Sequence, residues 1–410
     1  MRLTLDLVEA VSGTATKAVW VLALFAFAAR QLDIVQFADF SFWLTVSVVV
    51  SLFFDFGQQT ALLTRSSSRY RVAFAYSQRK LCFSLTVFFG LLVTALIIYV
   101  AGIVPNQTFV YLMICLFSAA AGSLTITYCI PHRARRNFRI DLRTGVVECI
   151  TVIVGCFLVA YFSIDQGTAV LGIYGSARAA GALTAVSSSR LGLASLLKPR
   201  LPDRRLLRYW FPFFLHMLFG TLILNVDLLV GRFSLSVSDY AIYQGGMRLV
   251  QAGNLIITVI SNVFIPTWSQ SDAEFGYPAT NAAFMKTTII VSVLSIIGIG
   301  ILSIYGTLLA ALIFGADFSR LGQFLPLFGV LILIRLAGAF SGVLLTCRNR
   351  QKYRTMSSML GVVILTMLII PWAGGYSMQY MVQSQLVAHS LMMIFLAYSL
   401  RKIWMQNLDD

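Results

Sequence analysis

The sequence predicts an all-α integral membrane protein, with about twelve transmembrane helices in two six-helix bundles around a central cavity. Three observations carry that expectation. Twelve apolar stretches run along the 410 residues, and about 20 apolar residues suffice to cross a bilayer as a helix. Only 11% of the residues are charged against 58% hydrophobic, with a mean hydropathy of +0.82, whereas a soluble domain is about 25% charged. The basic residues also fall almost entirely in alternate gaps between the apolar stretches.

The spans are expected near 11–30, 38–63, 80–101, 107–130, 144–162, 167–188, 208–230, 240–266, 283–306, 323–346, 355–373 and 378–400. Ala26-Phe27-Ala28 in the first has the look of a signal-peptidase site. Asp6 and Glu9 precede the apolar run, however, and Lys17 interrupts its start, so an uncleaved first span is expected. Lys17 lies near the cytoplasmic end and is expected to snorkel. In the second span Ser51, Asp55 and Gln58 share a helical face. Spans 3, 4, 9, 11 and 12 rest on apolar length. Gly and Ser dilute spans 5 and 6, which leaves ten or eleven spans as alternatives. Span 5 carries Glu148 with no assignable partner; span 6 carries Arg178 between Gly175 and Gly181. Span 7 lines up His216, Gly220, Ile223 and Asp227, because eleven residues make about three helical turns. That pair reads either as a relay or as a packing histidine beside a structural acid. Span 8 has a polar stripe of Gln244, Arg248, Gln251, Thr258 and Asn262, which reads as a cavity lining or as a network to neighbouring helices. Span 10 buries Arg335 near Gly338 and Gly342.

The net charge of +15 is distributed by topology. Arg65, Arg69, Arg71, Arg79 and Lys80 follow span 2, and Arg133, Arg135, Arg136, Arg139 and Arg143 follow span 4. Arg190, Lys198, Arg200, Arg204, Arg205 and Arg208 follow span 6, and Arg348, Arg350, Lys352 and Arg354 follow span 10. The opposite gaps hold Arg30, Arg232 and Arg320. This positive-inside asymmetry predicts a multi-pass protein with both termini in the cytoplasm. It assigns the basic surface to anionic membrane lipids and not to nucleic acid.

The loop 189–207 is basic, contains two prolines and divides the chain into residues 1–189, a linker 190–207 and residues 208–410. Asp39 and Asp239 begin spans 2 and 8, while Lys80/Tyr99 and Lys286/Tyr305 bracket spans 3 and 9. These echoes favour two similar lobes in parallel orientation, with a cleft near the midplane.

No catalytic constellation, Gly-rich phosphate loop or metal-ligand spacing occurs, and the six cysteines form no CxxC pair. No enzyme activity, metal or cofactor is expected. Ionisable groups inside a bilayer mark function by default. Lys17, Arg178, Arg248 and Arg335 outnumber Asp55, Glu148 and Asp227. That surplus suits an anionic substrate, since arginine binds phosphate and carboxylate with a planar fork. Arg248, Gln244, Gln251, Asn262, Arg335, Arg178 and Lys17 are the candidate substrate contacts; Asp55, Asp227, Glu148 and His216 are candidates for ion coupling.

Three local sequences add a resemblance. They are Phe54-Asp55-Phe56-Gly57 followed by Ala61 and Arg65; Asp227 through Gly231 followed by Tyr240-Ala241-Ile242-Tyr243 and Pro266; and Phe314-Gly315 with a basic turn from Cys347 to Arg350. Together with twelve spans in two sixes, the chain resembles the O-antigen flippase (Wzx-like) polysaccharide transporters of the multidrug/oligosaccharidyl-lipid/polysaccharide exporter superfamily. That resemblance implies a fold like the multidrug and toxin extrusion (MATE) transporters, located in a bacterial cytoplasmic (inner) membrane. It implies a flippase that carries an isoprenoid-pyrophosphate-linked oligosaccharide, such as an O-antigen or other surface polysaccharide repeat unit, to the outer leaflet. Membrane lipids and polysaccharide-assembly proteins are the implied partners, and Arg248 is the basic position that follows the paired aromatics of span 8. The alternative is an ion-coupled small-molecule exporter of the same superfamily, and the first span lacks the acidic residue common in drug exporters.

Overall fold

The computed structural model describes residues 2–58, 61, 70–133, 138–164, 166–188, 201–253, 277–348, 350–370 and 377–406. Among these residues there is no β-strand. The helices are α1 (Arg2–Gln31), α2 (Ile34–Asp55), α3 (Tyr70–Val100), α4 (Asn106–Arg133), α5 (Arg139–Tyr161) and α6 (Gly167–Ser188), then α7 (Arg204–Ser234), α8 (237–253) and α9 (Tyr277–Phe314). A 3₁₀ segment, Ala316–Gln323, leads into α10 (Leu325–Cys347), α11 (Gln351–Ile369) and α12 (Met378–Gln406). Nine of these helices are long and apolar enough to cross a membrane: α2 to α7, α9, α10 and α12.

The chain divides into two compact units, Met1–Leu218 and Phe219–Asp410, with the division inside α7. In the first unit α4 packs on α6 and α2, α5 packs on α1 and α6, and α3 packs on α4. Phe25, Phe37 and Phe40 are fully buried and meet at centroid distances of 5.2 to 6.4 Å. Trp43 stacks on Tyr111 at 5.7 Å with nearly parallel rings. Hydroxyl pairs also join helices: Ser47 with Ser118 at 2.8 Å and Ser84 with Ser123 at 3.1 Å. In hydrocarbon such small polar contacts hold helices together where no hydrophobic drive exists between them. In the second unit α10 and α11 pack on α12, and α9 packs on α10 and the 3₁₀ segment. Gly246 lies so close to the Phe328 ring that any Cβ there would overlap it, which brings α8 against α10.

Local sequence sets the helix ends. Asp33 caps α2 by accepting the Gln36 N–H at 2.8 Å. Pro326 stands in the first turn of α10, where its missing N–H costs nothing. Helix α2 stops earlier than the expected span 38–63. Phe56 (φ 44°) and Gly57 (φ 69°) are left-handed, and the Phe56 N–H closes on the Leu52 carbonyl. The expected shared face of Ser51, Asp55 and Gln58 is therefore broken between Asp55 and Gln58. Helix α3 begins at Tyr70 and α9 runs from Tyr277 to Phe314, well beyond the apolar stretches that announced them.

Candidate functional site

The first unit consumes its buried charges in pairs. Gly13 and Gly145 let α1 and α5 approach closely, since a Cβ on Gly145 would lie 3.3 Å from the Gly13 carbonyl oxygen. That approach brings Lys17 to 3.8 Å from Asp141, which also accepts two bonds from Arg133, at 2.9 and 2.7 Å. Lys17 is thus held by a carboxylate, where sequence reading expected a snorkelling ammonium. Glu148, expected without an assignable partner, accepts the Trp20 indole N–H at 3.2 Å and lies 3.7 Å from Arg178. Arg178 in turn stands 5.4 Å over the Trp20 ring and 5.2 Å over Tyr174. Gly181 makes the room: a Cβ there would meet the Glu148 carboxylate at 2.5 Å. Asp55 is paired with Lys80, a residue counted in the sequence only as a topological charge, and both side chains are buried. The inference of surplus cations is corrected for this unit, because Lys17, Lys80 and Arg178 each face an acid. The count missed Asp141, which lies just outside the expected fifth span, and left Lys80 out of the intramembrane set.

The second unit differs. Arg248 on α8 is 5% exposed. It donates to the Gln251 side-chain oxygen at 2.6 Å and to the Gln244 side-chain oxygen at 3.5 Å. Gln244 donates onward to the Tyr240 hydroxyl, which donates to the Leu228 carbonyl at 2.9 Å. Gln251 donates to Asn225 on α7 at 3.4 Å, and Asn225 donates to the Thr221 carbonyl at 2.8 Å. Every donor in this row points away from the guanidinium, so each amide dipole disperses the positive charge outward. Gln251 and Gln244 are neutral amides that orient the fork of Arg248. The cause is spacing: residues 240, 244, 248 and 251 fall on one face of α8, and position 225 sits on the facing side of α7. Asn262 and Thr258, expected to extend this stripe, lie outside the described residues.

A second polar group lies in the same unit. Arg335 on α10 donates to His389 Nε2 at 3.0 Å and to the Gln385 side-chain oxygen at 3.1 Å, both on α12. Asp227 on α7 accepts the Tyr243 hydroxyl and interacts by charge with Arg335. The expected relay partner of Asp227, His216, sits eleven residues earlier on α7. His389 and Gln385 went unnoticed in the sequence. The signal was present, since they are four residues apart and share a face of an apolar helix. Among the described residues no group of three or more His, Cys, Asp or Glu gathers as for a metal ion.

A family model described as "Polysaccharide biosynthesis protein" matches residues 10–272. The solved structure of the lipid II flippase MurJ, inward closed, is similar with a TM-score of 0.72 and 14% identity, covering 95% of this chain and 86% of that one. An inward-facing multidrug resistance MATE family transporter of the MOP superfamily is similar with a TM-score of 0.67 and 12% identity, covering 97% and 96%. A MATE structure in the bent conformation gives 0.65, 11%, 98% and 96%. At these identities the likeness shows a common fold. No curated protein matches the chain in sequence.

Proposed function

Because the chain belongs to the polysaccharide biosynthesis protein family, whose model spans residues 10–272, we propose that it is a flippase for an isoprenoid-pyrophosphate-linked oligosaccharide, moving it from the cytoplasmic to the outer leaflet by alternating access. The chain is a multi-pass membrane protein with the fold of flippases and transporters rather than of an enzyme. The observation that carries the substrate reading is Arg248. Buried on an apolar helix, its guanidinium is oriented by the amides of Gln244 and Gln251. A guanidinium stays charged and presents a planar fork that matches phosphate or pyrophosphate oxygens. The neighbouring amides, Gln244, Gln251 and Asn225, offer the hydrogen-bonding character that sugar hydroxyls need. In this reading Arg335 adds a second positive centre, the site faces a bacterial inner membrane with both termini cytoplasmic, and polysaccharide-assembly proteins receive the product.

The test is reconstitution into vesicles with a side-resolved assay of an isoprenoid-pyrophosphate oligosaccharide, comparing wild type with Arg248→Ala. Flipping by wild type and loss in the variant supports both substrate and site. Equal flipping keeps the function and moves the anion site elsewhere. Absence of flipping by either overturns the substrate reading.

The fold shared with multidrug transporters supports a second reading, an ion-coupled exporter of small molecules. Its expected signature is protection of cells against cationic dyes, lost in Asp55→Asn. The buried Asp55–Lys80 pair weighs against it, because a lysine already holds the carboxylate that a coupling cation would need.

A further inference from the structure

The second unit contains a proton-accepting group that the substrate row does not use. Arg335 presents Nε–H to His389 Nε2 at 3.0 Å. A nitrogen that accepts from a guanidinium is unprotonated, so this imidazole is neutral with its proton on Nδ1. Arg335 and His389 are 5% and 6% exposed, and Gln385 and Asp227 are fully buried. Arg335 Nη1 and Asp227 Oδ1 are both buried without a hydrogen bond. A donor and an acceptor of opposite charge therefore stand unfilled in one cluster, while the same guanidinium is engaged by α12.

We propose that His389 is a proton-binding site, and that its protonation transfers Arg335 from the α12 acceptors to Asp227. The step is balanced. A proton from water bonds to His389 Nε2; the Arg335 Nε–H···Nε2 bond is lost, and two cations then face each other. Relief is offered by the Asp227 carboxylate on α7, which interacts by charge with Arg335 and already takes the Tyr243 hydroxyl of α8. Release of the proton restores the starting bonds. The switch thus pulls α10 alternately toward α12 and toward α7, a two-position contact of the kind that biases a transporter between states. From α11, no titratable side chain occurs between Thr355 and Ile369. Its Arg354 lies beside Gly342, about two turns along α10 from Arg335. A metal cation is disfavoured at Asp227 because it would meet the permanent positive charge of Arg335.

This inference rests on the transporter reading and deepens it by naming the proton as the coupling ion. Two measurements separate their failures. The first needs no substrate: nitrogen NMR of the full chain in detergent with labelled histidine gives signals from His132, His216 and His389, and His389→Gln identifies the third by its loss. The His389 signal is expected to titrate on acidification, with its midpoint displaced in Arg335→Gln. A signal that stays neutral down to the lowest pH at which the protein remains folded overturns the proton site, whatever the protein transports. The second is flipping in sodium-free vesicles under an imposed pH gradient. Wild type is expected to respond to the gradient. His389→Gln keeps an acceptor oxygen for Arg335 and is expected to lose that response while flipping at the rate seen without a gradient. A gradient response retained in His389→Gln overturns the inference even where the histidine titrates. Titration with no flipping of any lipid-linked sugar overturns the substrate reading and leaves the proton site standing.

Discussion

The indole N–H of Trp20 lies 3.2 Å from the Glu148 carboxylate, joining α1 to α5 at a point where Arg178 approaches the same acid from α6. The acid is fully buried, so both neighbours matter to its cost. Trp20→Phe keeps most of the ring and removes the donor. It is expected to destabilise by about 1–3 kcal/mol, the penalty for a buried group left short of a partner. Thermal unfolding in detergent reads the loss, and Glu148→Gln in the same background should recover part of it.

Asp55 and Lys80 form the most enclosed ion pair among the described residues. Lys80→Met leaves the carboxylate buried alone and is expected to cost about 3–5 kcal/mol, whereas Lys80→Met with Asp55→Leu should recover most of that. If the double variant unfolds as early as the single one, the pair is not what holds α2 to α3.

Gly57 has a left-handed backbone, and a Cβ there would overlap the backbone of Phe213 and Phe214 on α7. Phe56 stacks on Phe214 at 4.4 Å beside it. Gly57→Ala is expected to lower the unfolding temperature and the yield of folded protein. The backbone contributes about 1–2 kcal/mol, and the overlap adds to it. Gly102, also left-handed, has open space around it, so Gly102→Ala should show the backbone cost alone.

Gln251 tests the electrostatics of the row on α8. Gln251→Leu removes the 2.6 Å acceptor of Arg248 and the link to Asn225. Flipping should fall roughly tenfold or more, as for loss of one charge-assisted hydrogen bond. Gln251→Glu keeps an acceptor and cancels the positive charge, and transport of an anionic substrate should fall further still. Unchanged transport by Gln251→Glu would remove the cationic role of Arg248.

Hydropathy and the basic gaps made the helical elements legible, because a bilayer imposes length and charge sidedness on each span. The end of α2 was not legible, since the left-handed Phe56 is a bulky residue that rarely adopts that conformation. The row Gln244, Arg248, Gln251 could be read because one helix supplies it at regular spacing. Lys17 with Asp141 and Arg178 with Glu148 could not, because partners more than 29 residues apart meet only through glycines such as Gly145 and Gly181. Arg335 stood out as a charge in an apolar run, yet its acceptors His389 and Gln385 arrive 54 and 50 residues later, in a span recognised by its apolar length.

That interval also sets a timetable. A chain made from its N-terminus inserts early helices first. Each acid–base pair described in the first unit is complete once residue 178 has entered the bilayer, so that unit can neutralise itself during synthesis. Arg335 waits longer for its hydrogen-bond partners: its imidazole and amide acceptors belong to α12. Until α12 arrives, a nascent chain carries a guanidinium that only Asp227 or the insertion machinery can accommodate. A chain truncated before residue 385 therefore lacks both of the α12 acceptors that hold the Arg335 guanidinium.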